Sequence, residues 1–168
     1  LISLVALMPT SRGVSQVDPI IALDVDTFLD SNLPSHQICS TESEDCSLRG
    51  AISRANADSE QEYMISMGAG LFGLALTGAG EDGNRSGDLD LFGNIQISGS
   101  GTESTIIGGN YIDRVFHIHP GAVITITNLA LTGGQAPPGD ETSVNGSPGG
   151  GIYNSGYLTL ENCLITDN

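Results

Sequence analysis

The stretch Ala122-Val-Ile-Thr-Ile-Thr-Asn-Leu-Ala-Leu-Thr132 carries two apolar pairs that are out of phase. Ile124 and Ile126 share a face with Asn128, whereas Leu129 and Leu131 fall on the other parity. Side chains along a straight strand alternate between faces, so a straight strand cannot bury both pairs on one side. The stretch Tyr157-Leu-Thr-Leu-Glu-Asn-Cys-Leu-Ile-Thr166 repeats the break, with Leu158 and Leu160 set against Cys163 and Ile165 and Asn162 standing where Asn128 stands. Asparagine tolerates left-handed backbone and bonds locally through its amide. The spacing therefore predicts a corner at Asn128 and Asn162, with the two amides stacked in a ladder.

Working outward, three units align, each with three strand-like pieces. The first is Asp88–Phe92, Asn94–Ser98 and Thr105–Gly108; the second is Arg114–Ile118, Ala122–Thr127 and Leu129–Thr132; the third is Gly150–Tyr153, Tyr157–Glu161 and Cys163–Thr166. Gly93, Pro120-Gly121 and Ser155-Gly156 supply turn signals at matching places, and 135–149 reads as an inserted surface loop. Three strands per coil with a recurrent corner predict an all-β chain, a right-handed parallel β-helix or solenoid with a short N-terminal capping helix. A β-sandwich is the competing architecture, and it would need hairpin alternation instead of a repeated corner.

Only one segment has helical period. Leu48, Ala51, Ile52 and Ala55 recur at i, i+3, i+4 and i+7 behind Ser47, a natural N-cap, so a helix is expected over about 47–57. Cys39 and Cys46 flank a polar loop and are expected to form a disulfide. A metal site is the alternative, with His36 as weak support. Cys163 sits in an apolar run and is expected to behave as a small buried hydrophobe. Leu1–Met8 resembles the back half of a secretory h-region, with a buried first strand as the alternative. The expected division is a signal-peptide remnant over 1–15, an N-terminal cap over 16–62, and the first coils over 63–168, with further coils of the same chain following.

Cys46-Ser-Leu-Arg-Gly-Ala-Ile-Ser-Arg-Ala-Asn56 closely resembles the CSLREA motif of bacterial secreted repeat proteins. Gly78-Ala-Gly-Glu-Asp82, Gly87-Asp-Leu-Asp90, Thr105-Ile-Ile-Gly-Gly109, Asp113-Arg-Val-Phe116 and Gly149-Gly-Gly-Ile-Tyr-Asn154 extend the likeness from about Asp24 onward. The resemblance implies export to the medium or cell surface and a pectin-lyase-like solenoid; it implies no settled reaction. This chain departs from the pattern at Gly50, where the motif has glutamate. Loss of a capping-box partner, together with glycine's entropy, is expected to weaken the helix by about 1 kcal/mol. It departs again at Met64–Gly70, where the family tends to have a threonine-rich strand.

The 168 residues carry 20 acidic and 5 basic side chains, a formal net charge of −15, and no lysine, which excludes nucleic-acid binding through a basic face. A hydrophobic share of 39% is too high for a disordered chain despite that charge. The acidic surplus includes Asp82-Gly-Asn-Arg-Ser-Gly-Asp-Leu-Asp90. Asp82, Asn84 and Ser86 alternate ahead of Gly87 like the first half of a calcium loop, and Asp88 and Asp90 add carboxylates. The twelfth-position glutamate of such a loop is missing, Gly93 standing there, and an Asx-rich turn is the competing reading.

His117 and His119 share a strand face and suggest zinc, yet the neighbouring sequence offers no third ligand. Phe116 and Ile118 are the natural core residues, so the histidines are expected to face solvent. Arg85 and Arg114 lie near acidic residues without forming a recognisable catalytic set. The expected function is therefore non-enzymatic: a secreted or cell-surface segment with a structural, adhesive or binding role, with calcium as candidate cofactor and polysaccharide or cell-surface components as partners. The alternative is the leading part of a carbohydrate-active lyase or hydrolase whose catalytic residues lie beyond Asn168.

Overall fold

A computed structural model describes residues 18–138 and 149–168. The apolar run Leu1–Met8 and most of the expected inserted loop, 139–148, lie outside the described residues. Strand β1 (Ile21–Val25) is followed by a 3-10 turn at Pro34–His36 and helix α1 (Leu48–Asn56). Strands β2 (Glu62–Met67), β3 (Gly70–Gly73), β4 (Leu89–Leu91), β5 (Asn94–Ser98) and β6 (Thr105–Gly108) come next. The chain then runs through β7 (Phe116–Ile118), β8 (Val123–Thr132), β9 (Ile152–Asn154) and β10 (Tyr157–Thr166).

Every pairing between the described strands is parallel. One seven-stranded sheet runs β1-β2-β5-β8-β6-β3, with β10 also on β8, and a three-stranded sheet runs β4-β7-β9. Register places like on like: Ile65 pairs with Ile97, Ile97 with Ile126, and Ile126 with Leu160. Alternation does the rest, since Tyr63, Ile65 and Met67 of β2 and Ile95 and Ile97 of β5 are buried while their neighbours are not. Leu89, Leu91, Phe116 and Ile118 close the core from the smaller sheet.

The expected all-β right-handed parallel β-helix is corrected by this arrangement, which is a mixed α/β fold: a parallel-strand half-barrel sheet with, among the described residues, a single α-helix. Two findings overturn it. Strand β8 is continuous over ten residues, pairing with β5 through its first half and β6 through its second, so the pieces read as separate strands belong to one sheet. Asn128 adopts φ 58° and Asn162 φ 50° inside their strands, shifting the side-chain parity without ending the hydrogen bonding. Asn162 Nδ2 donates to Asn128 Oδ1 at 2.8 Å. The second finding is that α1 is built into the common core and is more than an end cap, because Leu48, Ala51, Ile52 and Ala55 are buried together with the strand residues.

Ser47 caps α1, its hydroxyl accepting from the Gly50 N–H at 2.9 Å, and Cys39 and Cys46 form a disulfide just ahead of it. Cys163 is free and half-buried, with its thiol 3.3 Å from the Ile126 carbonyl. No helix among the described residues is long and apolar enough to cross a membrane.

Candidate metal centre

The three-stranded sheet builds the site. Its register sets Asp90 of β4 beside His117 of β7, and His117 beside Tyr153 of β9. Because Leu89, Leu91, Phe116 and Ile118 take the core-facing parity, Asp90, His117 and Tyr153 stand on the opposite face. His119, two residues beyond His117, joins the same face. An isolated strand would leave that face wet; here loop 77–87 folds over it.

The loop is held at several points. Asn84, at φ 56°, donates its N–H to Asp90 Oδ2 at 2.8 Å and its amide to the Arg49 carbonyl at 2.9 Å and Ser53 Oγ at 2.8 Å. Glu81 accepts from the Gly83, Arg85 and Ser86 N–H groups. Burial alone would raise the Glu81 pKa, but those hydrogen bonds outweigh it and hold the carboxyl below its usual range.

Four ligand atoms converge under the loop. One nitrogen or oxygen from each of Asp82, Asp90, His117 and His119 lies within 4.8 Å of all the others. His119 Nε2 is 2.7 Å from Asp90 Oδ1, while His117 Nδ1 is 3.4 Å from Asp90 Oδ1 and 3.5 Å from Asp82 Oδ1. The Asp90 side chain is fully buried and Asp82 is 70% exposed, so the centre has an inner and a solvent side. Aromatic packing orients the imidazoles: His119 stacks on Phe92 at 4.0 Å, His117 lies 3.8 Å from His119, and Tyr153 backs His117 at 4.9 Å. Burial, then the neighbouring His119, pushes the His117 pKa down, which favours the neutral imidazole that a metal ligand must be. Burial pushes Asp90 up, against the pull of its His119 hydrogen bond.

This corrects the expectation that the histidines face solvent without further ligands. The additional ligands come from Asp90 across the sheet and Asp82 from the covering loop. The expected calcium set does not assemble as one cradle. Asp82 and Asp90 are brought together, but the Asn84 amide serves the helix, Ser86 Oγ donates to the Gly78 carbonyl at 3.3 Å, and Asp88 turns to Arg114 at 3.9 Å.

Asp88 belongs to a neighbouring buried group with Asp113 and Arg114, whose guanidinium also lies over Tyr153 at 4.9 Å. Burial, then the charges of Asp113 and Asp90, raises the Asp88 pKa to about 7. A carboxyl whose folded pKa exceeds its unfolded value of about 3.9 favours the protonated native state, so its contribution is full below about pH 4 and is lost as pH rises through about 7. Three pH units correspond to at most about 4 kcal/mol. Urea unfolding in EDTA is expected to show stability falling between pH 4 and 7, and Asp88→Asn is expected to flatten that fall. A variant with an unchanged slope would remove Asp88 as its cause.

Compared with known proteins, the chain matches no family model, no curated protein and no solved structure.

Proposed function

We propose that this chain is a metal-binding module of an exported protein, with Asp82, Asp90, His117 and His119 holding a divalent cation. The observation that carries the reading is the convergence of four ligand atoms from three separate segments, two of them imidazole nitrogens, within 4.8 Å. The set is more than a cluster of exposed carboxylates, since two of its donors are imidazoles and it draws on β4, β7 and the loop folded over them. The Cys39–Cys46 disulfide suits an oxidising compartment, and the net charge of −15 raises the local concentration of cations. The module's role is structural, adhesive or binding toward cell-surface material.

The test is calorimetric titration of chelator-stripped protein with Zn²⁺, Mn²⁺ and Ca²⁺ separately, alongside thermal unfolding. One ion per chain is expected to bind. At 100 times the Kd, the ion should stabilise the fold by about 2.7 kcal/mol, raising Tm by roughly 5–10 °C. His119→Ala should remove both signals. Absence of heat and of any Tm shift with all three ions would overturn the proposal.

A further inference from the structure

The donor set narrows the ion further. Calcium takes six to eight oxygen ligands, whereas two of the four donors here are imidazole nitrogens. Two imidazoles with two carboxylates suit a borderline 3d dication, of which zinc is the four-coordinate representative. Ligand atoms at about 2.0–2.2 Å from a tetrahedral zinc are separated from each other by roughly 3.4 Å. The His117–Asp90 and His117–Asp82 separations, 3.4 and 3.5 Å, already have that length. The 2.7 Å His119–Asp90 hydrogen bond has to open by less than an ångström to admit the ion.

The four ligands also differ in what carries them. Asp90 and His117 belong to paired strands, and His119 directly follows one of them, whereas Asp82 rides on loop 77–87 with its side chain 70% exposed. An ion bound to all four would tie the loop to the sheet at its most exposed point. Resting on the reading of these residues as a metal centre, we infer that the centre takes a borderline 3d dication of the zinc class in preference to calcium, and that the ion latches loop 77–87 onto strands β4 and β7 through Asp82.

The loop carries its own reporter. The chain has no lysine, and Arg85 lies three residues past Asp82 with its side chain 78% exposed, making it the open trypsin site of the loop. Arg49, by contrast, is buried in the core and Arg114 is nearly so. The experiment is limited trypsin digestion of the chelator-stripped protein, with zinc chloride or calcium chloride added. The fragment beginning at Ser86 is followed by mass, and zinc binding is measured in parallel by calorimetry. Cleavage through an opened loop that has lost the ion slows by up to about 100-fold at 100 times the Kd, so slowing of at least about tenfold with zinc is expected. Calcium at the same concentration is expected to leave the rate within twofold of the stripped protein.

Asp82→Asn, a change at an exposed position checked for native fold by circular dichroism, is expected to bind zinc more weakly. At concentrations that saturate its remaining ligands, it should lose the protection at Arg85. Zinc binding without protection, or protection that survives Asp82→Asn, would overturn the latch while leaving the metal centre intact. Equal protection by calcium would overturn the assignment of the ion class. Failure of every ion to bind would overturn the proposed function itself.

Discussion

Arg49→Met is expected to destabilise the protein by about 3–5 kcal/mol, a drop of roughly 6–20 °C in Tm, although methionine fills much of the same volume. The Arg49 side chain is fully buried. Its Nε donates to Asp30 Oδ1 at 2.5 Å, its NH2 to Asp30 Oδ2 at 3.2 Å and the Gly87 carbonyl at 2.8 Å, and its NH1 to the Asp88 carbonyl at 2.7 Å. One guanidinium thus joins α1, the segment after β1 and the end of loop 77–87. Removing it strands a buried carboxylate and two buried carbonyls together, and an unpaired buried charge is the costlier loss. Among the described residues, Asp30 would retain the Ala75 and Leu76 N–H donors, at 2.7 and 2.9 Å.

Two companion variants show that the cost lies in pairing and not in packing. Arg49→Lys keeps the charge but not the planar fork, so it should recover only part of the stability. Asp30→Asn combined with Arg49→Met removes both charges, and the pair should cost less than the sum of the two single changes by at least about 1 kcal/mol. Urea unfolding with a common m-value measures the parent and every variant. Strict additivity would mean that Asp30 and Arg49 act independently, and an Arg49→Met protein within about 1 kcal/mol of the parent would sink the argument.

The same residue shows why the sequence discloses some of this structure and conceals the rest. Local patterns are legible: the stripe Leu48, Ala51, Ile52, Ala55 gives α1, and the parity break gives left-handed backbone at Asn128 and Asn162. Parity reports where a chain kinks but not whether its hydrogen bonding continues. Strand β8 continues through Asn128, and the inference of separate strands on a three-sided coil fails there. The metal centre lies one step further from view. His117 and His119 lack a third ligand along the chain because Asp90 arrives by register, 27 residues earlier. Aligning Leu89 and Leu91 with Phe116 and Ile118 sets Asp90 against His117, so that contact is available to a reader who stacks the segments by their core residues. The fold of loop 77–87 over the face is not available in that way, because it depends on Arg49 and Asn84 meeting partners far along the chain.

Gly50→Ala is expected to destabilise the protein by about 3 kcal/mol, opposite in sign to helix propensity, which favours alanine over glycine by about 1 kcal/mol. Gly50 is the third residue after the Ser47 cap, and its N–H reaches Ser47 Oγ at 2.9 Å. Sequence alone marks it as a weakness that glutamate would repair by completing the capping box. The structure shows a close approach instead. A Cβ at this position would overlap the His36 carbonyl oxygen and lie 2.7 Å from its carbonyl carbon. That carbonyl cannot easily move aside. It accepts the Ser47 N–H at 3.1 Å, the bridge between Gln37 and Cys46 flanks it, and the Cys39–Cys46 disulfide closes the intervening loop. Relief must therefore come from α1, whose Leu48, Ala51 and Ile52 have no slack in the core. Gly50→Glu should cost at least as much as alanine because it meets the same overlap before its carboxylate can reach the cap. Thermal unfolding is expected to show Tm lowered by roughly 6–12 °C for either variant. An alanine variant as stable as the parent would mean that the helix can shift away from His36, and that Gly50 is the weakness its sequence suggests.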